Sequence, residues 1–146
     1  VEWSRLVPEL TVSDFAGSLR FYKDFLGFEV RFSRSDTSDF AYLEFEGAQL
    51  MLEELHTDGW NVAELEKPYG RGINLQIECS GADELRDRLS DSEYPLYREL
   101  EDVWRVTGDT VTGSREFLVQ DPDGYLLRFC QHLGERDRTG PQAMRE

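Results

Sequence analysis

Along this chain the hydrophobic period switches between two and about 3.6 in a fixed order, and the order occurs twice. Arg5 to Val12 reads as a strand with Leu6 and Leu10 on one side. Pro8 removes a ladder donor there, so the strand belongs at an edge or its N-terminal half leaves the domain. Ser13-Asp14 offers a helix cap, after which Leu19, Tyr22, Phe25 and Leu26 recur at three- and four-residue spacing until Gly27. Phe28 to Arg34 is the next strand, with Phe28, Val30 and Phe32 set against Glu29 and Arg31. In Phe40 to Glu46 the residues Phe40, Tyr42 and Glu44 share one face and Ala41, Leu43 and Phe45 the other. Gly47 turns the chain into Ala48 to Glu54, where Leu50 and Leu52 face the core and Gln49, Met51 and Glu53 face away.

The second half repeats this β-α-β-β-β order. Ile73, Leu75, Ile77 and Cys79 alternate, Ser80 to Asp83 has the form of a capping box, and Leu85 and Leu89 anchor a short helix. Leu96 to Val106 is a strand, Gly108 to Gly113 a turn, and Ser114 to Gln131 a hairpin around Asp121-Pro122-Asp123-Gly124. On its second strand Tyr125, Leu127 and Phe129 share one face, and Leu126, Arg128 and Cys130 the other. Arg128 therefore either lies near a sheet edge and snorkels to water or faces a ligand. The expected organisation is a first module over residues 5–54, a connecting loop over 55–71, a second module over 72–131 and a C-terminal tail over 132–146. The loop has no sustained period, holds a short helix from Val62 to Glu66, and carries Trp60, which either folds back over the core or contacts a ligand.

Charge narrows the partners. Sixteen Lys and Arg stand against 30 Asp and Glu, a net charge of −14, which argues against nucleic acid or an anionic membrane as partner. It is compatible with a cationic small molecule, although an acidic surface that serves solubility is the more common reason for such an excess. Cys79 and Cys130 have no metal-like spacing and read as buried thiols of a reducing compartment, a single disulfide remaining open. No apolar run reaches membrane-span length and Val1-Glu2-Trp3-Ser4 is not a basic signal start, so a soluble cytoplasmic protein is expected. His56 and His132 have no partner at ligand spacing, and metalloprotease, phosphate-loop and nucleophile-elbow motifs are absent. Glu53 and Glu54 end a strand, as a base, an electrostatic anchor or solvated surface carboxylates. The remaining aromatics and carboxylates favour binding over bond making.

Several stretches in order resemble the vicinal oxygen chelate superfamily, and within it the bleomycin resistance proteins: Val7 to Ser18, Phe21-Tyr22 through Leu26-Gly27-Phe28, Gly47 to Glu53, Arg115-Glu116-Phe117, and Asp121 to Gly124. The resemblance implies an α+β fold of tandem βαβββ modules, a vicinal oxygen chelate fold with concave mixed sheets curling into an eight-strand arrangement. It implies a homodimer, with the first strand crossing between subunits near Pro8, that sequesters a cationic aromatic antibiotic such as bleomycin at a dimer cleft without modifying it. No cofactor is expected. The four positions where metal-dependent relatives place ligands fall on Val7, Met51, Gly72 and Arg128, which do not ligate a metal in the ordinary way. The tryptophan of many resistance proteins ahead of Arg115 is replaced by Thr112-Gly113. The expected ligand-binding residues are Asp36, Asp39, Phe40, Tyr42, Glu53, Trp60, Trp104 and Arg128. The alternatives are a divalent-metal-dependent glyoxalase, dioxygenase or thiol transferase using Glu9, Glu53 and His56, and an interaction module without a small ligand.

Overall fold

The structure is a computed structural model and describes residues 2–138. Its strands are β1 (Glu9–Val12), β2 (Glu29–Arg34), β3 (Phe40–Phe45), β4 (Ala48–Glu54), β5 (Asn74–Glu78), β6 (Arg98–Thr107), β7 (Thr110–Gln120) and β8 (Leu126–Asp137). Helix α1 (Phe15–Arg20) follows β1 and α2 (Ala82–Asp91) follows β5. The described residues fall into two compact units, those of Val1–Ile73 with Gln120–Tyr125 and those of Asn74–Val119 with Leu126–Glu146.

In the first unit the sheet order is β1-β4-β3-β2, with β1 parallel to β4 and the other pairs antiparallel. Register sorts the side chains. Leu10 pairs with Leu52, Ala41 with Leu52, and Leu43 with Leu50, and all five are buried. Asp14 caps α1 by accepting from the Gly17 N–H, and the helix continues as a π-helical turn over Phe21–Phe25. That turn buries Phe21 and Tyr22 completely, and Leu26 and Phe28 close the core. Side chains of this size each contribute roughly 2 kcal/mol on leaving water.

The Asp121–Gly124 turn is bolted into this unit. One Asp121 oxygen accepts from the backbone N–H groups of Asp123, Gly124 and Tyr125, and the other accepts from the Tyr22 hydroxyl at 2.8 Å. Asp123 accepts from the Ser13 N–H and hydroxyl, and the Tyr125 hydroxyl donates to the Thr11 carbonyl. Both aspartates are almost fully buried, and these bonds offset the cost of burying them.

In the second unit the order is β5-β8-β7-β6, with β5 parallel to β8 and Gln76 beside Arg128. Ile77, Leu85, Leu89, Phe117, Val119, Leu127 and Phe129 form its core, the Phe117 and Phe129 rings stacked at 5.5 Å.

Several expectations are corrected. The concave eight-strand arrangement is not found. Strand pairing gives two separate four-stranded mixed sheets, open at β1 and β2 in one and at β5 and β6 in the other. Closure would require those edges to be paired, and they are not. What holds is the α+β class with tandem repeats and mixed sheets. The strand begins at Glu9, so Leu6 is exposed and does not share the Leu10 side of the sheet. No helix forms over Val62–Glu66, a segment in which Val62 is fully exposed and no apolar stripe meets the core. The capping box does not form: α2 is capped at Gly81 without a side-chain bond of its own, and the Gln131 amide oxygen accepts from the Ala82 N–H at 3.0 Å. The turn expected over 108–113 is shorter, since β7 begins at Thr110. β8 runs to Asp137, so the expected tail begins as strand, and its part from 139 lies outside the described residues. Cys79 and Cys130 are buried free thiols with no disulfide between them. Among the described residues no helix is long and apolar enough to cross a membrane.

Candidate functional site

The face of the first sheet turned away from its core carries aromatic, amide and carboxylate groups in register. Tyr42 lies beside Met51, Phe40 beside Glu53, and Glu44 beside Gln49, while Glu9 on β1 aligns with Met51. An irregularity between Val30 and Phe32 inserts Arg31 as an extra residue, so Val30 pairs with Leu43 of the core face and Phe32 with Tyr42 of the open face. The bulge thus adds a third aromatic to Phe40 and Tyr42. The segment before β1 adds a fourth: the Trp3 ring meets Tyr42 edge-on, with centroids 4.9 Å apart. Trp3, Arg31, Phe32 and Tyr42 line a recess of about 580 Å³. Trp3 is 57% and Phe32 48% exposed, so this face holds uncovered aromatic surface.

Gln49 organises that end of the face. Its amide oxygen accepts from the Ser4 N–H and the Tyr42 hydroxyl, and its nitrogen donates to the Glu2 carbonyl and to Glu44, all within 2.8 Å. Glu44 also takes the Arg31 guanidinium, and with Gln49 contributing most this holds its carboxyl below the usual range. At the other end Glu53 accepts from Ser38 and meets His56 Nε2 at 2.9 Å. Loss of surrounding water, and then the Glu53 charge, raise the Glu9 carboxyl above its ordinary value, with Arg34 opposing. The Arg34 guanidinium lies over the Phe40 ring at 4.3 Å, which keeps Phe40 buried.

In the second unit the face opposite Leu127 and Phe129 encloses a polar recess of about 330 Å³ lined by Gln76, Arg105, Glu116, Arg128 and their neighbours. Glu116 is buried, which works against its charge, but Arg105 donates two bonds to it and the carboxyl stays below the usual range. Burial, followed by Glu116, pushes the Cys130 thiol up, so it is held as the unreactive neutral form.

The expected ligand-binding residues are thus divided. Phe40, Tyr42 and Glu53 share the open face of the first sheet. Asp36 is exposed, 3.7 Å from Arg34, and Asp39 uses its carbonyl to accept from Glu54. Trp60 is 95% exposed, which removes the reading that folds it over the core. Trp104 and Arg128 belong to the second unit. The Trp104 ring packs on Gly113, where an added Cβ would come within 2.6 Å of it, and Arg136 covers its other side at 3.6 Å. The small residue ahead of Arg115 is therefore required by Trp104. Sequence reading missed Trp3, Phe32, Gln49, Arg105 and Glu116. Strict alternation placed Phe32 on one face with Phe28 and Val30, and nothing in the sequence signals the inserted Arg31.

The residues present do not fit a divalent metal. Val7, Met51, Gly72 and Arg128 offer no anionic or imidazole donor. Glu9 feels the Glu53 charge and His56 is engaged with Glu53, but no group of three donors among the described residues could hold a metal ion.

Comparison with known proteins places this geometry in a family. A bleomycin resistance protein of Geobacillus stearothermophilus is 29% identical over 140 residues, covering 87% of this chain and 96% of its own. A lactoylglutathione lyase of Haemophilus influenzae is 28% identical over 141 residues, covering 90% and 94%. The crystal structure of TioX from Micromonospora sp. ML1 shares the fold with a TM-score of 0.67 at 21% identity, covering 90% of this chain and all of that one. Residues 5–129 match the Glyoxalase/Bleomycin resistance protein/Dioxygenase superfamily, and the chain belongs to it.

Proposed function

We propose that this protein binds a cationic, aromatic-bearing small molecule such as bleomycin on the open face of its first sheet, and sequesters it without changing it. The observation that carries the reading is the uncovered aromatic surface of Trp3, Phe32 and Tyr42 at one end of a sheet face whose other end carries the carboxylates Glu9 and Glu53. Flat rings stack on such a surface, and the acidic charge of the chain draws in a cation. Similarity to bleomycin resistance proteins over most of the chain supports the choice of ligand. Asp36 and Asp39 add negative potential near the β2–β3 connection. In this reading the protein is a cytoplasmic homodimer whose second copy closes over the aromatic face.

Titration with metal-free bleomycin, followed by tryptophan fluorescence, tests it. Saturable quenching at micromolar ligand is expected, with affinity about fivefold weaker in Tyr42→Ala, since a lost stacking contact is worth on the order of 1 kcal/mol. Linear, unsaturable quenching would sink the antibiotic assignment. Sedimentation equilibrium reports the dimer independently, and a monomer at all concentrations contradicts that part.

A further inference from the structure

Two arginines enter the recess of the second unit, and they are in different states. Arg105 is neutralised by Glu116, donating through both terminal nitrogens at 2.6 and 3.2 Å. Arg128 forms no ion pair among the described residues. Its Nη2 donates to the neutral amide oxygen of Gln76 at 2.6 Å, and its Nε is out of contact with water and without an acceptor. In a chain of net charge −14, a guanidinium held by an amide in place of a carboxylate is conspicuous.

We propose that this recess binds a small-molecule carboxylate, as a monoanion, with Arg128 as its anchor. A guanidinium presents Nε and Nη2 as a parallel pair of donors that matches the two oxygens of a carboxylate. Such a ligand displaces Gln76 from Nη2 and supplies the acceptor that Nε lacks, exchanging one neutral bond for two charge-assisted ones and relieving an unpaired buried N–H. The charge count sets the class. Arg105 and Arg128 stand against Glu116 and Glu78 among the lining residues, so the recess carries no net positive charge and attraction for an anion is local to the Arg128 guanidinium. A dianion such as phosphate meets twice the repulsion from Glu78 that a monoanion meets, with no second free cation among the described lining residues to offset it. The volume of about 330 Å³ admits a small acid or the acidic end of a larger molecule. The proposal concerns the second unit alone and stands apart from cation binding on the first.

Benzoate, its neutral counterpart benzamide, and inorganic phosphate are the probes. With nitrogen-labelled protein, the Arg128 Nε–H resonance, assigned by its loss in Arg128→Gln, is expected to shift saturably with benzoate and to stay in place with benzamide. Phosphate should bind at least about tenfold more weakly than benzoate. Equilibrium dialysis should show benzoate binding lost in Arg128→Gln and retained in Arg115→Gln, an arginine outside the recess. Equal response to benzoate and benzamide, or undiminished binding in Arg128→Gln, overturns the site, and tighter binding of phosphate overturns the monoanion assignment. Should Arg128→Gln not fold, the comparison of benzoate with benzamide on the unaltered protein decides the matter.

Discussion

Asp121 accepts four hydrogen bonds through its carboxyl in the first unit, as many as the Gln49 side chain makes, and it does so almost fully buried. Burial, the largest influence, pushes its carboxyl from 3.8 up to about 6 against the bonds from Tyr22 and the backbone. The folded state therefore holds a proton between those values that the unfolded chain has already released. Stability is fully present below pH 3.8 as far as this group is concerned, falls as pH rises through the window, and is flat above about 6. The size is on the order of 2 to 3 kcal/mol. Asp121→Asn keeps an oxygen for the three backbone donors and removes the titration. Urea midpoints taken between about pH 4 and pH 7 should converge for the two proteins at the acid end and diverge toward neutrality, with the asparagine form the more resistant there. Parallel profiles would show that the carboxyl does not titrate in this range.

Two turns of similar sequence role behave differently at the scale of elements. Gly47, between β3 and β4, and Gly124, before β8, both have positive φ, +90° and +105°. Around Gly47 an added Cβ meets nothing within 4 Å, whereas at Gly124 it would lie 2.7 Å from the Pro68 Cα. Gly47→Ala should cost only the backbone preference, about 1 kcal/mol, and Gly124→Ala that plus displacement of the Pro68 backbone, roughly 3 kcal/mol in total. Thermal midpoints of the two variants test this, and equal losses would contradict the packing described for the turn. The Asp121–Gly124 turn was legible because proline and glycine announce it, and β4 was legible because Leu50 and Leu52 alternate strictly with Gln49, Met51 and Glu53. Features built from distant partners were not. The cap of α2 comes from Gln131, the bulge that turns Phe32 outward leaves the local pattern unchanged, and Trp3 reaches Tyr42 through bonds to Gln49 that no spacing reveals. The candidate site was legible for Phe40 and Tyr42, which alternate onto one face of β3, and for Glu53, which alternates onto the outward face of β4, and illegible where a bulge or a second segment completes it.

For the whole molecule the dominant fact is charge. Thirty acidic residues against 16 basic ones give a field that accelerates arrival of a cation and is screened over about 8 Å at physiological salt. If a cationic ligand is held by aromatic contacts as proposed, raising salt should slow its association several-fold while changing dissociation little, because such contacts are insensitive to screening. Stopped-flow fluorescence at two ionic strengths checks this, and salt acting mainly on dissociation would mean that ion pairs, not rings, retain the ligand. Family membership alone leaves both lyases and resistance proteins open, so the central claim is binding without chemistry. Isothermal titration with metal-free bleomycin, followed by mass spectrometry of the ligand recovered from the same cell, tests it most directly. The account predicts a saturable micromolar isotherm and a ligand of unchanged mass, and either the lack of a saturable isotherm or an altered ligand would contradict it.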